Sequence, residues 1–247
     1  MARSGDEATA IRAAEGGAEK SAYVREAFSS IAPRYDLLNH LLSFNIDRVW
    51  RRKAIATLAM DRKPSGTYLD LCAGTLDVSV ALADLNRFAG RVVAVDFAEP
   101  MLRAGVSKIL RKPVAPVAGD VLSLPIASAS VAGAIVAFGI RNVSDVDSAL
   151  SEVHRVLEPG GRLVILEFST PRSPLINTAY QLYFRRVLPL VGSVVSGHPT
   201  AYRYLPRSVA NFPVMEELAR RMRLAGFSRV KWRSLTLGIV AIHVGER

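Results

Sequence analysis

From Thr67 onward, short apolar runs alternate with longer amphipathic stretches. The strand-like runs are TYLDLC (67–72), RVVAVDF (91–97), VAPVAGD (114–120), VAGAIVAF (131–138) and RLVILEF (162–168). The helical stretches between them are VSVALADLNRFA (78–89), EPMLRAGVSKILRK (99–112) and VDSALSEVHRVLE (146–158). Near-continuous aliphatic strands separated by helices indicate βαβ units and a parallel sheet covered on both faces. The pattern therefore predicts a doubly wound α/β fold whose ligands bind beyond the carboxyl ends of the strands.

The two ends of the chain follow other patterns. Residues 23–59 have helical spacing with a break near Pro33, which predicts an N-terminal helical cap. Beyond the parallel strands we expect one or two amphipathic helices (173–195), a polar loop (196–206), a helix (214–226) and two antiparallel strands (227–235 and 236–244). We expect a flexible tail over 1–20 and one domain over 21–247, with a helical lid over about 21–60.

Composition narrows the class of protein. Half of the 247 residues are hydrophobic and 22% are charged, as in ordinary globular proteins. The single cysteine, Cys72, excludes an internal disulfide and predicts a reducing, cytoplasmic location. The N-terminus lacks the apolar core of a secretory signal, and the longest apolar runs are about half the ~20 residues needed to span a bilayer.

A net charge of +10 points to anionic partners. The positive charge is concentrated in RVWRRK (48–53), YFRR (183–186) and ARRMR (219–223). Such a field favours nucleic acid or the headgroups of a cytoplasmic leaflet. The alternative is a set of solvated helix faces with no specific partner.

The stretch YLDLCAGTLD (68–77) is the first candidate for ligand binding. Asp70 lies in the first strand, Gly74 and Thr75 form the turn, and Asp77 opens the next helix. Backbone N–H groups at such a turn, with a helix N-terminus behind them, suit an anionic ligand group.

Two more acids follow the next two strands. Asp96 ends the second strand, where a carboxylate can accept both hydroxyls of a ribose, and Asp120 follows the third, near an adenine amino group. The three strand ends together predict a nucleoside site. The alternative for each acid taken singly is a helix cap or a turn residue.

The glycine count of the first turn selects among nucleoside ligands. A dinucleotide turn needs G-x-G-x-x-G, whereas AGTLDV (73–78) offers only Gly74 and an acid that would repel a diphosphate. S-adenosylmethionine fits better, because it has no phosphate and its sulfonium and ammonium charges would benefit from Asp70 and Asp77. A dinucleotide-dependent reductase is correspondingly disfavoured.

Segments along most of the chain resemble one known family. The segments LDLCAGTLD, VVAVDFAEPML, GDVLSLPI and AFGIRNVSDVDSALSEVHRVLEPGGRLVILEFS resemble the ubiquinone/menaquinone biosynthesis C-methyltransferase family. The upstream FSSIAPRYDLLNHLLSFNIDRVWRR and the later AYRYLPRSVANFP and LTLGIVAIHVG are similar to it too. The resemblance covers residues from about Val24 to Gly245, and its FGIRN block is more specific than the glycine turn.

The resemblance implies a Rossmann-like class I methyltransferase sheet of seven strands with the last one reversed. It also implies methyl transfer from S-adenosylmethionine to a ring carbon of a demethylated prenyl quinol, either demethylmenaquinol or a ubiquinol precursor. Thr75, Asp96 and Asp120 with Val121 fall on the family's cofactor positions. Leu76 stands where the family commonly has glycine, and Ala137, also expected at the cofactor, stands where it often has serine.

The chemistry of a quinol suggests a role for the FGIRN block. A ring carbon becomes nucleophilic when the adjacent hydroxyl loses its proton, so the enzyme must favour the phenolate. We expect the guanidinium of Arg141 to stabilise that oxyanion, with Asn142 orienting it. The alternative is that Arg141 forms a surface ion pair with Asp145 or Asp147.

The proton acceptor and the lid are assigned to other segments. His198, in the predicted loop, has a suitable intrinsic pKa for a general base, although a loop histidine is often idle. His154 and His243 lie in regular elements, which predicts structural roles. Tyr35, Asp36 and Asn39 are candidates for the lid or substrate contacts, with a helix cap as the alternative for Asp36. No metal is expected, because no His, Cys and carboxylate cluster has ligand spacing.

The partners follow from the substrate. The face of 180–195, with Arg185 and Arg186, is a candidate groove for the prenyl tail and for peripheral contact with the membrane, and a core helix is the alternative. Competing functions are methylation of another small aromatic compound, methylation of RNA, and non-enzymatic membrane binding. The sequence leaves open the choice of naphthoquinol or benzoquinol and whether the chain forms a homo-oligomer.

Overall fold

The computed structural model describes residues 18–183, 186 and 201–247. It begins with three helices: α1 (Ala18–Ile31), α2 (Tyr35–Leu42) and α3 (Ile46–Thr57). A 3-10 turn, Ala32–Arg34, separates α1 from α2, and Pro33 lies in its first turn. The predicted break is confirmed, because proline has no N–H to continue the helical hydrogen bonds of α1. Helix α1 starts within the segment expected to be a flexible tail.

The sheet has seven strands in the order β3-β2-β1-β4-β5-β7-β6. Their bounds are β1 (Thr67–Leu71), β2 (Arg91–Asp96), β3 (Val114–Ala118), β4 (Val131–Ala137), β5 (Leu157–Phe168), β6 (Ser228–Leu235) and β7 (Val240–Glu246). Strands β1 to β5 pair in parallel, whereas β7 runs antiparallel to both β5 and β6. The chain crosses from β3 to β4 on the other side of β1, so the switch point lies between β1 and β4, where a ligand is expected.

The helices between strands are α4 (Asp77–Ala83), α5 (Glu99–Gly105), α6 (Val146–Val156) and, before β6, α9 (Met215–Leu224). Two are shorter than the pattern predicted. A 3-10 turn, Val106–Ile109, follows α5. Helix α4 gives way to a turn containing Asp84 and Asn86, with Arg87 at a positive φ of 74°. Asp and Asn hydrogen-bond locally in turns, which ends the helix early.

Both faces of the sheet are covered by apolar side chains. On one face α6 and α9 contribute residues such as Leu150, Val153 and Leu218; on the other, α3 contributes Trp50 and Ile55. Each such side chain stabilises the fold by about 1.5–3 kcal/mol when fully buried. Helix α3 is thus part of the core, which fixes the base of the N-terminal cap. Across the residues described, no helix combines the length and hydropathy needed to cross a bilayer.

The region after β5 corrects one expectation. Helix α7 (Pro174–Leu182) matches the start of the predicted amphipathic segment, most of whose remainder lies outside the described residues. The second half of the expected polar loop instead belongs to helix α8 (Ala201–Ala210), with Pro206 inside it. Tyr204 and Val209 of α8 are buried in two separate apolar clusters, and this burial offsets the proline's cost of about 3 kcal/mol.

Candidate active site

The turns after β1 and β2 are joined by one carboxylate. Asp96 accepts the Gly74 N–H at 2.8 Å through Oδ2 and the Ala98 N–H at 2.8 Å through Oδ1. Burial raises the pKa of Asp96. Gly74 has a φ of +53°, a conformation that L side chains rarely adopt, whereas an added Cβ would meet nothing closer than 3.5 Å. Backbone conformation, rather than space, therefore favours glycine here.

Leu76 also has a positive φ, 69°, immediately before helix α4. Its side chain is completely buried and packs with Ala94, Leu102 and Ile109 beneath the turn. The residue that departs from the family's usual glycine therefore points into the core, away from the ligand edge of the sheet.

The first cavity lies at the carboxyl ends of β1, β2, β3 and β4 and is covered by α1. It has a volume of about 660 Å³, including its open mouth. Seven residues predicted at the site line it: Gly74, Asp96, Asp120, Val121, Ala137, Asn142 and, from the N-terminal cap, Tyr35. Among the described residues that line it, two are aspartates and none is Lys or Arg. A cavity of this charge disfavours phosphates and suits a ligand that carries positive charge.

Three residues expected to bind the cofactor lie elsewhere. Asp70 is buried beneath the turn, accepts the Ser79 hydroxyl at 2.6 Å, and has its pKa raised to about 7 by burial. The Thr75 hydroxyl donates to Asp36, and Asp77 pairs with Lys108 at 2.7 Å and Arg51 at 3.7 Å. None of the three lines the cavity. The turn and α4 carry these side chains beneath and beside the ligand edge.

Lys108 connects the N-terminal cap to the first turn. Its ammonium contacts the Asp36 carboxylate, the Thr75 carbonyl at 3.0 Å and Asp77. Asp36 belongs to α2, whereas Thr75 and Asp77 belong to the β1 turn and α4. We call this set the latch. It holds α2 beside the first cavity, as the lid expectation for Asp36 requires.

A second cavity adjoins the first, with a volume of about 950 Å³ including its mouth. The two cavities share Phe28, Tyr35 and Phe138 in their walls. Other residues lining the second cavity are mostly aromatic or aliphatic, with Asn39 and the charged residues Asp47, Arg51 and Arg141 among them. It therefore suits an apolar aromatic ligand with a polar group.

Arg141 is held by a buried acid that sequence reasoning missed. Its Nη1 donates to Glu167 Oε1 at 2.7 Å and to the Phe138 carbonyl, and its guanidinium lies 5.4 Å from the Phe168 ring centre. Burial raises the pKa of Glu167. Within the described chain, Arg141 Nε and Asn142 Oδ1 are buried without a hydrogen-bond partner. The position of Glu167 at the carboxyl end of β5 was the available signal.

The surface ion pair considered for Arg141 is wrong. Asp145 instead caps α6, where it accepts the Asp147 N–H at 3.0 Å and the Ser148 N–H at 3.1 Å. Asp147 lies 3.6 Å from Arg221. The 3-10 turn Ile140–Asn142 turns Arg141 inward, so the guanidinium cannot reach these acids at the surface.

The roles predicted for the histidines can be compared with the structure where those residues are described. His198 lies outside the described residues, together with Arg185. His154 stacks edge-on against Phe227, and His243 is buried with Nε2 at 2.9 Å from the Met215 carbonyl. Burial lowers the pKa of His243 to about 4, so it is neutral at ordinary pH. In the part of the chain that is described, no group of three or more His, Cys, Asp or Glu residues has the arrangement of a metal site.

Solved structures share this fold. One is a S-adenosylmethionine-dependent methyltransferase from Thermotoga maritima, with a TM-score of 0.63 at 20% identity, covering 90% of this chain and 98% of that one. Another is phosphoethanolamine N-methyltransferase 2 from Haemonchus contortus in complex with S-adenosyl-L-methionine, with a TM-score of 0.57 at 12% identity, covering 78% of this chain and 52% of that one. At these identities the likeness concerns the fold.

Sequence relatives are much closer. The demethylmenaquinone methyltransferase of Thermus thermophilus is 47% identical over 89% of this chain and 99% of its own length. The ubiquinone/menaquinone biosynthesis C-methyltransferase UbiE of Geobacter sulfurreducens is 43% identical over 93% and 90%. A model of the ubiE/COQ5 methyltransferase family matches residues 17–247. The chain belongs to the ubiE/COQ5 methyltransferase family.

Proposed function

We propose that this chain is an S-adenosylmethionine-dependent C-methyltransferase. Its substrate is a demethylated prenyl quinol, demethylmenaquinol or a ubiquinol precursor, which it methylates on a ring carbon in respiratory quinone biosynthesis. The observation that carries the proposal is the meeting of two unlike cavities at Phe28, Tyr35 and Phe138. One is acidic and the other aromatic with a buried guanidinium. The names of the relatives reported above support a quinone precursor as the substrate.

The first cavity fits the cofactor. Each Asp96 oxygen accepts one backbone N–H and keeps a lone pair for a ribose hydroxyl. Asp120 and the backbone at Val121 would hold the adenine, with Phe97 and Met101 as apolar walls. Asn142 Oδ1, without a partner in the described chain, is an acceptor for an ammonium group. When bound, the cofactor supplies an electrophilic methyl group on a sulfonium.

Arg141 acts on the substrate side. A guanidinium stays protonated, so it stabilises the quinol oxyanion rather than removing a proton. Nη1 is already engaged by Glu167 and the Phe138 carbonyl, which leaves Nε and Nη2 with hydrogens to donate. Donors placed where negative charge develops commonly contribute about 10²–10³ in rate. Asn142, the next residue, faces the cofactor cavity, so the two neighbouring side chains serve different ligands.

The remaining parts of the proposal concern the base, the lid and the membrane. His198 is kept as the candidate general base, because of its intrinsic pKa. Tyr35 and Asn39 line the second cavity from α2 and shield the reacting carbon from water. The prenyl tail partitions into a bilayer, so the enzyme works in peripheral contact with the cytoplasmic face of a membrane.

The test is direct. The purified protein is incubated with S-adenosylmethionine and either demethylmenaquinol or the benzoquinol precursor, and the products are weighed by mass spectrometry. A mass increase of one methylene group on either quinol, localised to a ring carbon, is expected. The proposal is wrong if neither quinol is methylated while another small phenol or an RNA pool is.

A further inference from the structure

The outer face of helices α2 and α3 carries an exposed apolar surface. Five large side chains there are between 39% and 75% exposed: Leu37, Leu41, Phe44, Ile46 and Val49. Leu37 and Leu41 are one turn apart on α2, and Ile46 and Val49 share a face of α3. Phe44 lies in the connecting turn at a φ of 52° and is the most exposed of the five. We call these five residues the hairpin face.

The charges beside the hairpin face have a single sign. Within residues 35–57, all described apart from the Leu38 side chain, the exposed charged residues are Arg48, Arg52 and Lys53. The two acids of this segment are occupied. Asp36 is held in the latch, and Asp47 is buried against Ser43 and His40. The hairpin therefore presents apolar side chains and positive charge together, which complements an anionic, partly apolar surface.

The same hairpin forms a wall of the second cavity. Asn39 and Leu42 line it from α2, and Trp50 lines it from α3. The end of α2 also receives a hydrogen bond from the Tyr183 hydroxyl to the Leu42 carbonyl at 2.6 Å, which ties the hairpin to the residue after α7. The hairpin face and the proposed quinol cavity are therefore opposite sides of one layer of helices.

We propose that the hairpin face is the surface by which this protein docks on a bilayer containing anionic phospholipids. This inference rests on the proposed function, since a prenyl quinol reaches the second cavity from a bilayer. Phe44 and the leucines enter the headgroup boundary, and Arg48, Arg52 and Lys53 contact lipid phosphates. One weak signal gives only reversible binding, whereas an apolar and a basic signal together give stable attachment. The surface differs from 180–195, to which the sequence assigned membrane contact.

The test measures sedimentation of the full chain with vesicles of phosphatidylglycerol and phosphatidylcholine, and with phosphatidylcholine alone. We expect the wild type to prefer the anionic vesicles.

The triple substitution Leu37→Ser, Leu41→Ser, Phe44→Ser should lower partitioning at least tenfold. Replacing Arg48, Arg52 and Lys53 with Gln should lower binding to anionic vesicles by about fivefold per residue and weaken its salt dependence. A matched control, Leu110→Ser, Val214→Ser, Leu224→Ser, changes three residues of 62% to 73% exposure elsewhere and should leave partitioning unchanged.

Activity separates this inference from the proposed function. Methylation of a short-chain, water-soluble quinol should be unchanged in the Ser triple variant, and methylation of the vesicle-borne quinol should fall. If the wild type binds vesicles but methylates neither quinol, the proposed function is refuted and the docking surface is not. The docking proposal is overturned if the wild type does not bind anionic vesicles. It is also overturned if the control variant lowers binding as much as the triple variant does. It is also overturned if ultracentrifugation shows a dimer that the triple variant dissociates, because the occupant is then a second copy of the chain.

Discussion

Arg141 and Glu167 form an ion pair at 2.7 Å in which both side chains are more than nine-tenths buried. The first comes from the turn after β4 and the second from the end of β5, so parallel pairing of neighbouring strands brings them together. Removing Arg141 with Arg141→Ala should reduce turnover by about 10²-fold or more, because the oxyanion loses its donor. Cofactor affinity, measured by calorimetry with S-adenosylhomocysteine, should stay within a few fold, since Arg141 does not line the first cavity. Loss of cofactor binding in a folded variant would contradict the assigned role.

Glu167 is a positioning residue for Arg141. Glu167→Gln retains a hydrogen-bond acceptor but removes the charge, so the guanidinium is held less firmly and is left uncompensated. Removing one partner of a buried ion pair typically costs about 3–5 kcal/mol. We expect lower thermal stability, a fall in kcat and an unchanged KM for S-adenosylmethionine. Glu158→Gln, which breaks the exposed pair with Lys63, is the control and should change neither.

Leu76 should matter for stability rather than for cofactor binding. Leu76→Ala opens a cavity beneath the turn and should lower the free energy of unfolding by about 2–5 kcal/mol. Leu76→Gly removes still more contact. Glycine, however, adopts the left-handed backbone conformation of residue 76 without steric strain, which is worth about 1 kcal/mol. The glycine variant should therefore be at least as stable as the alanine variant, the reverse of the order in a regular helix. Urea titrations measure this order, and a large change in cofactor affinity would show that the turn was misassigned.

The latch should control how fast the cofactor leaves. Lys108→Met removes the contacts with Asp36 and Asp77, each a partly exposed pair worth about 0.2–1 kcal/mol. A several-fold faster release of S-adenosylhomocysteine is expected in stopped-flow measurements, with a weaker dependence on salt. Lys112→Met breaks a comparably exposed pair with Asp84 and should leave the release rate unchanged. Equal acceleration by both substitutions would rule out the latch.

Asp70 should make stability depend on pH. Its folded pKa of about 7 lies above the unfolded value of about 3.9, so the folded state binds more protons between these values. Stability contributed by the protonated carboxyl is complete below about pH 4 and is lost as pH rises through about 7. Asp70→Asn cannot ionise, so its stability relative to wild type should increase from about pH 5 to about pH 8. Denaturant titrations at both pH values test this sign. Ser79→Ala, which removes the hydroxyl donor, should raise the pKa of Asp70 further and extend the loss to higher pH.

Much of the fold followed from periodicity. The succession of β1 to β5 along the chain, the antiparallel last strands, the cap and its break at Pro33 were all predicted, because sheet and helix periods are properties of neighbouring residues. Helix ends were less accurate, as in α4, where turn residues ended the helix early. The loop that became α8 was misassigned, because only its partners in space bury Tyr204 and Val209.

For the site, the sequence by itself determined which chemical groups stand at the strand ends: Asp96, Asp120 and the FGIRN block, in the order that a parallel sheet brings to one edge. Only the tertiary structure decided where each side chain points. It turned Asp70, Thr75 and Asp77 away from the cavity, sent Leu76 into the core and paired Arg141 with Glu167. The physical reason is that the succession of strands along the chain follows from local pattern, whereas the direction of a turn side chain depends on backbone angles and on partners distant in sequence.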